Sequence, residues 1–233
     1  CFINEYVYPH NDEEIKQASN LRDSLSAALE AGTRVPALWP VAVAAYFPLY
    51  SLPLATRLLG TQWPEAVAAV LAQQVREPEE ERQIRATIPR LTGIEDEVSL
   101  LVQGQYEENP YPRWIRSAAS GKPITVVSWL RQLFPFMSVQ PPEKYAEPEI
   151  LIAGCGTGQH SIQTAQQFQG ARVLAVDLSI SSLGYAKRKT RELGLTSIEY
   201  AQADLLKLGS LGRSFDVIES VGVLHHLADP WAG

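Results

Sequence analysis

Residues 149–159 read Glu149-Ile150-Leu151-Ile152-Ala153-Gly154-Cys155-Gly156-Thr157-Gly158-Gln159, a short apolar run that breaks into three alternating glycines. A run of this kind, closed by a turn signal, is the pattern of a strand buried on both faces, as in a parallel sheet. The glycines permit a tight turn, positive φ and close approach of backbone to a ligand, while a helix starting just beyond presents unpaired N–H groups to the same place. The plain alternative is a turn that only joins strand to helix.

The same alternation continues downstream. Arg172–Val176 is a second apolar run, ending at Asp177, and His160–Gln169 between the two places Ile162, Ala165 and Phe168 on one side before Gly170, a suitable C-cap. Ser179 can cap a further helix that runs to about Leu193 before Gly194; Ile198–Gln202 then forms a third strand and Phe215–Ser220 a fourth. Strands alternating with helices at this spacing predict an α/β fold with a Rossmann-like, doubly wound parallel sheet whose ligand lies at the carboxyl ends of the strands.

Two acids stand at such ends. Asp177 lies 23 residues beyond Gly154, where a carboxylate can accept from both hydroxyls of a ribose. The bland alternative is an Asp that caps the next helix, a role for which Ser179 competes. Asp204, in Ala203-Asp204-Leu205 after the third strand, can accept from an exocyclic amine such as that of adenine, with Leu205 against the ring, or can be a simple turn residue.

These residues together resemble the class I S-adenosylmethionine-dependent methyltransferases. The resemblance rests on Glu149–Gly158, then Val176-Asp177, then Ala203-Asp204-Leu205, then Phe215-Asp216-Val217-Ile218 leading into Leu224-His225-His226-Leu227. It implies that the loop of Gly154, Cys155, Gly156, Thr157 and Gly158 approaches the methionine moiety of S-adenosyl-L-methionine. It implies further that Asp177 with Leu178 holds the ribose and that Asp204 with Leu205 contacts adenine. The loop Ser220–Leu224, with Ser220, Val221 and Gly222, would lie beside the sulfonium. The reaction implied is in-line transfer of a methyl group to an unidentified acceptor, small molecule or protein. Strand order 3-2-1-4 is implied for the first four strands of a sheet that has seven in the family, so the chain reads as a fragment, truncated on the acceptor side. Cys1–Tyr8 and Tyr106–Trp114, with Asn109-Pro110-Tyr111-Pro112-Arg113, resemble more narrowly a bacterial subgroup whose methyltransferase follows tetratricopeptide repeats, although no such repeat is present here.

Upstream of the glycine loop the composition changes. Fifteen of the 16 prolines precede residue 149, whereas 10 of the 15 glycines follow it. This predicts an all-helical region over 1–115, a linker and helix over 116–148 around Pro141, Pro142 and Pro148, and the sheet domain over 149–233. Asn11 caps a helix with Ile15, Leu21, Leu25 and Leu29 that ends at Gly32. Pro64 opens another, with Val67, Val70, Leu71 and Val75 on one stripe and Pro78 as its stop; a third runs from about Glu95 to Glu108 with Val98, Leu101, Val102 and Tyr106 on a face. Val35–Thr56 carries no charge and is long enough to span a membrane, but prolines at 36, 40, 48 and 53 favour short buried helices instead.

Composition excludes several classes. An apolar fraction of 45% with 20% charged residues excludes a disordered chain, and two cysteines exclude a disulfide framework, which fits a reducing, cytoplasmic setting. A net charge of −6 argues against nucleic-acid binding as the main task, and no His, Cys or carboxylate spacing suggests a metal. His225 and His226 are the candidates for a base that takes the acceptor's proton; the alternative has one packed on the loop and one solvated. His10 and His160 stand isolated. Lys187, Arg188, Lys189 and Arg191 read as a solvated helix face, Cys155 as a small packed residue, and Tyr106, Tyr111 and Trp114 as core or as the lining of an acceptor pocket. A nicotinamide-dependent oxidoreductase would share the loop and Asp177 but leave Asp204 and the His225 region unexplained; a non-catalytic adaptor of the same fold, using the helical region to bind a protein partner, is the third reading.

Overall fold

In the computed structural model, which describes residues 8–117, 121–136 and 146–233, the apolar run before the glycines forms β1 (Glu149–Ala153). It lies inside a parallel sheet ordered β3-β2-β1-β4, with β2 at Arg172–Asp177, β3 at Ile198–Gln202 and β4 at Val217–Glu219. The order is the expected 3-2-1-4. In register, Ile150 stands opposite Val173 on one side and Val217 on the other. Because side chains alternate between faces, Ile150, Ile152, Val173 and Ala175 enter one core cluster and Leu151, Ala153, Leu174 and Val176 enter another. Both faces of β1 and β2 are covered, which is why their sequences are apolar at successive positions. β4 is shorter than the expected 215–220, although Asp216 N–H already donates to Glu149 O at 2.8 Å.

The crossover helices are α7 (Gln159–Gln167) and α8 (Ile180–Glu192), the latter capped by the Ser179 side chain, which accepts from Ser182 N–H. The basic run on α8 differs from expectation. Arg188 and Lys189 are buried, not solvated: the Arg188 guanidinium lies 5.1 Å from the Tyr185 ring centroid and the Lys189 ammonium 5.5 Å from that of Trp114. Long basic side chains can bury their stems against rings while their heads find carboxylates, here Glu192.

The chain forms two compact units that divide between Gln83 and Ile84, not at the compositional boundary near Pro148. Ile84, Ile88 and Val126 belong to the same core as Ile150 and Val173. Gln202 N–H donates to Pro89 O and Leu91 N–H to Gln202 O, both at 2.8 Å, so residues 89–91 run along the outer edge of β3. Ile124 bridges to Phe168 just before α6 (Val126–Leu133). Proline and glycine counts report which backbone conformations a stretch needs, and are silent on what packs against it. Pro141 and Pro142 lie outside the described residues, as do Cys1–Val7.

In the same unit α5 (Glu97–Glu108) is rotated relative to its expected face: Leu101 is 76% exposed and Ser99 is the buried position. In the first unit, α1 (Asp12–Ala31) starts at Asn11, whose side chain accepts from Glu14 N–H, and ends at Gly32 in the left-handed region, as expected. The uncharged stretch forms α2 (Leu38–Tyr46) and short 3₁₀ turns whose Val43, Ala44, Leu49, Leu52 and Ala55 are buried. No helix of the described residues is long and apolar enough to cross a membrane. Pro78 does not stop the next helix. α3 (Glu65–Leu71) passes through a π-turn at Ala72–Arg76 into α4 (Glu77–Arg85), with Glu77 N–H donating to Ala72 O. The register change at a π-turn is where a missing proline N–H costs least.

Candidate functional site

The carboxyl ends of β1, β2 and β3 and the loop after β4 open onto one cavity of about 800 Å³, the position that ligands take in open α/β sheets. Its floor is the glycine loop. Gly154 and Cys155 N–H both donate to Val176 O, at 2.8 and 2.9 Å, which folds the loop back across the end of β2. The three glycines then serve different needs. A Cβ on Gly154 would meet the Val223 side chain at 2.3 Å, and one on Gly158 (φ 82°) would meet Ala186 Cβ at 2.5 Å. A Cβ on Gly156 (φ 52°) would meet nothing closer than Tyr111 O, at 3.7 Å, among the described residues, and Gly156 lines the cavity.

Asp177 is tied into this loop. Its Oδ2 accepts from Gly156 N–H at 2.7 Å and its Oδ1 from Ser179 N–H at 2.9 Å. Burial pushes its carboxyl above the ordinary range, opposed by those two N–H groups. Asp204 is fully buried; Oδ1 accepts from Leu206 N–H at 3.0 Å, and Oδ2 has no hydrogen-bond partner among the described residues. A buried acceptor left without a donor costs free energy unless something supplies one, so a ligand with an N–H group fits this wall.

Leu178, Leu205, Val221 and Gly222 line the cavity with them. Gly158 and Ser220 do not: Gly158 is spent on packing against α8, and the Ser220 hydroxyl is buried and without a partner among the described residues. Cys155 is buried, and its thiol is pushed well above its usual range by burial and by the nearby Asp177, which makes it inert. Thr157 anchors the wall opposite: its hydroxyl donates to Pro112 O at 2.7 Å and its carbonyl accepts from Trp114 Nε1 at 3.0 Å. Tyr106 and Tyr111 line the cavity while Trp114 packs behind it against Tyr185. His225 and His226 are both exposed at the mouth, their rings 4.1 Å apart and His226 edge-on to Tyr106.

Two features of the site are not in the sequence reading. Glu107 of α5 accepts from Ile180 N–H (2.6 Å), Ser181 N–H (3.1 Å) and the Ser181 hydroxyl (2.6 Å), so a carboxylate from a distant helix caps α8 just after Asp177. His160, set aside as isolated, lines the cavity with its Nε2 3.0 Å from Glu219 Oε2, to which the Thr164 hydroxyl also donates at 2.9 Å. The signal for this pair is topological: order 2-1-4 brings the end of β4 beside the start of α7, on which His160 and Thr164 are one turn apart. Among the described residues no group of three or more His, Cys, Asp or Glu is placed to hold a metal ion.

Residues 150–232 match the model of a family described as a methyltransferase domain. An uncharacterized protein of Synechococcus sp. is 29% identical over 153 residues, which covers 64% of this chain and 36% of that protein. The ubiquinone biosynthesis O-methyltransferase of Agrobacterium fabrum is 36% identical over 80 residues, 34% of this chain and 31% of the relative. The chain thus spans about a third of the length of these curated relatives. Among solved structures, PKMT2 from Rickettsia typhi in complex with AdoHcy is similar over 45% of this chain and 20% of its own, at 24% identity and a TM-score of 0.39.

Proposed function

We propose that the chain is an S-adenosylmethionine-dependent methyltransferase acting on an acceptor still to be identified. The observation that carries this reading is the convergence of the glycine loop, Asp177 and the donorless Asp204 Oδ2 on a single cavity. The match of residues 150–232 to a methyltransferase domain supports it. In this reading Gly154, Cys155, Gly156 and Thr157 face the methionine end, Asp177 and Leu178 the ribose, Asp204 and Leu205 the adenine, and Val221 and Gly222 the sulfonium. The bound cofactor supplies an activated methyl group. The chain's own residues bind, orient and exclude water: Asp177 offers acceptor oxygens, Gly156 leaves room, and Tyr106 and Tyr111 close one side. A nicotinamide cofactor would use the same loop and Asp177, but the match of residues 150–232 to a methyltransferase domain favours methyl transfer.

Calorimetry with S-adenosylhomocysteine and with NAD separates the two. Binding of the first and not of the second is expected; the reverse overturns the assignment. The finer readings belong to this proposal as well: the subgroup that follows tetratricopeptide repeats, supported by Asn109–Arg113 and the loop; a protein partner for the helical residues; and a reducing, cytoplasmic setting, in keeping with a free buried Cys155.

A further inference from the structure

The pair formed by His160 and Glu219 has no task in cofactor binding as assigned above, and its placement gives it one. Glu219 ends β4, directly before the loop that the methyl-transfer reading sets beside the sulfonium, and His160 opens α7 on the other side of the same cavity. Glu219 Oε2 lies 3.0 Å from His160 Nε2 and accepts from the Thr164 hydroxyl at 2.9 Å; with Nε2–H turned to that carboxylate, a neutral imidazole carries its lone pair on Nδ1. The side chains are 33% and 19% exposed, so the pair is shielded without being closed off. This is the arrangement of a base and its orienting carboxylate. The cavity beside it is lined by Val102, Tyr106, Tyr111 and Leu227, which suits a flat apolar body.

We propose that His160, oriented by Glu219, is the base for transfer to a phenolic hydroxyl. The inference rests on the methyl-transfer reading and names its acceptor class. The acceptor oxygen forms the new bond to the methyl carbon as the carbon–sulfur bond breaks and its electron pair returns to sulfur, giving a neutral thioether. The hydroxyl proton passes to the ring nitrogen of His160 that Glu219 does not engage, and the resulting imidazolium is held by the Glu219 carboxylate. A carboxylate acceptor needs no base, and an amine attacks as its neutral form, so the pair is matched to an O–H group that is weakly acidic.

The other titratable groups on the cavity are Asp177 and Asp204 from the strand ends, Cys155 from the loop, Tyr106 and Tyr111, and His225 and His226 after β4. The test therefore reads His160 itself. With catechol as probe, Glu219→Gln is expected to lower kcat at least about tenfold in the parent and to cost nothing further in His160→Gln, because the carboxylate acts through the imidazole. Fully additive losses overturn the pairing. Calorimetry separates this from the underlying reading: failure of the parent to bind S-adenosylhomocysteine overturns methyl transfer, whereas binding with additive losses overturns only the pair. With catechol as probe, His160→Gln is expected to lower kcat about a hundredfold or more while S-adenosylhomocysteine affinity changes by less than about threefold. Loss of affinity with kcat retained makes His160 a cofactor ligand and overturns the base. Transfer to benzoate or aniline and not to catechol overturns the phenolic class.

Discussion

Asp177 and Glu219 are both partly buried carboxylates on the sheet's ligand edge, yet their environments push them in opposite directions. Burial raises Asp177, and its partners are backbone N–H groups; the His160 hydrogen bond lowers Glu219, against burial. An acid whose folded pKa is raised contributes stability below its unfolded value and loses it as pH rises through the folded one, so ionised Asp177 is a cost to the fold at neutral pH. In the methyl-transfer reading this cost is offset by binding. Asp177→Asn is expected to weaken S-adenosylhomocysteine binding by about 1.5 to 3 kcal/mol while thermal stability changes little, because the amide oxygen still serves one N–H of the loop. Calorimetry and a thermal melt check both halves, and the parent's affinity should begin to fall, on acidification, above the ordinary carboxylate range. For Glu219 the sign reverses: its stabilisation is present above the unfolded value near 4.5 and is lost as pH falls through the lower folded one. Glu219→Gln should therefore cost about 1 to 2 kcal/mol near neutrality, and melts of parent and variant should draw together as pH falls below the ordinary glutamate value and through the lower folded one.

At the scale of elements, the turn from β1 into α7 is set by two unlike glycines. Gly158 combines φ 82° with a Cβ position 2.5 Å from Ala186 Cβ, so any side chain there forces α7 away from α8. Gly158→Ala is expected to destabilise by about 2 to 4 kcal/mol, and Ala186→Gly to restore part of that. Gly156→Val meets open cavity instead, so it should abolish S-adenosylhomocysteine binding at a smaller cost in melting temperature than Gly158→Ala; the reverse ranking makes the loop a purely structural turn. The strands, the loop and the acids at the strand ends were legible because each is a local pattern: an apolar run buried on both faces, alternating glycines, an acid where a strand stops. Glu107 capping α8 was not, since its partners Ile180 and Ser181 lie 73 and 74 residues away and no local period connects them. The π-turn before Pro78, the rotation of α5 and the burial of Arg188 and Lys189 were likewise decided by tertiary neighbours that override local preference.

For the whole molecule, the question is which stretch of chain makes the ligand site. Composition assigns it to residues 149–233, because that is where the glycines are. Packing assigns it to residues 84–233. Glu107 holds the start of α8 beside Asp177; Trp114 Nε1 donates to the carbonyl of Thr157 in the glycine loop; Gln202 at the end of β3 pairs with residues 89–91; and Thr92 Oγ1 accepts from the N–H of Asp204. Removing residues 84–148 therefore takes a hydrogen-bond partner from the wall beside each of the three positions assigned to methionine, ribose and adenine. It also uncovers the side of the sheet core closed by Ile84, Ile88 and Val126. A shortened chain of residues 84–233 is expected to unfold cooperatively and to bind S-adenosylhomocysteine within about threefold of the full chain, since every residue that lines the cavity lies after Gln83. One of residues 149–233 is expected to bind at least about a hundredfold more weakly and to melt without a cooperative transition, having lost several buried hydrogen bonds at roughly 1 kcal/mol each together with that apolar cover. Calorimetry and differential scanning of the two shortened chains decide between the readings: equal affinity would mean that the helices after Gln83 cover the sheet without shaping its site.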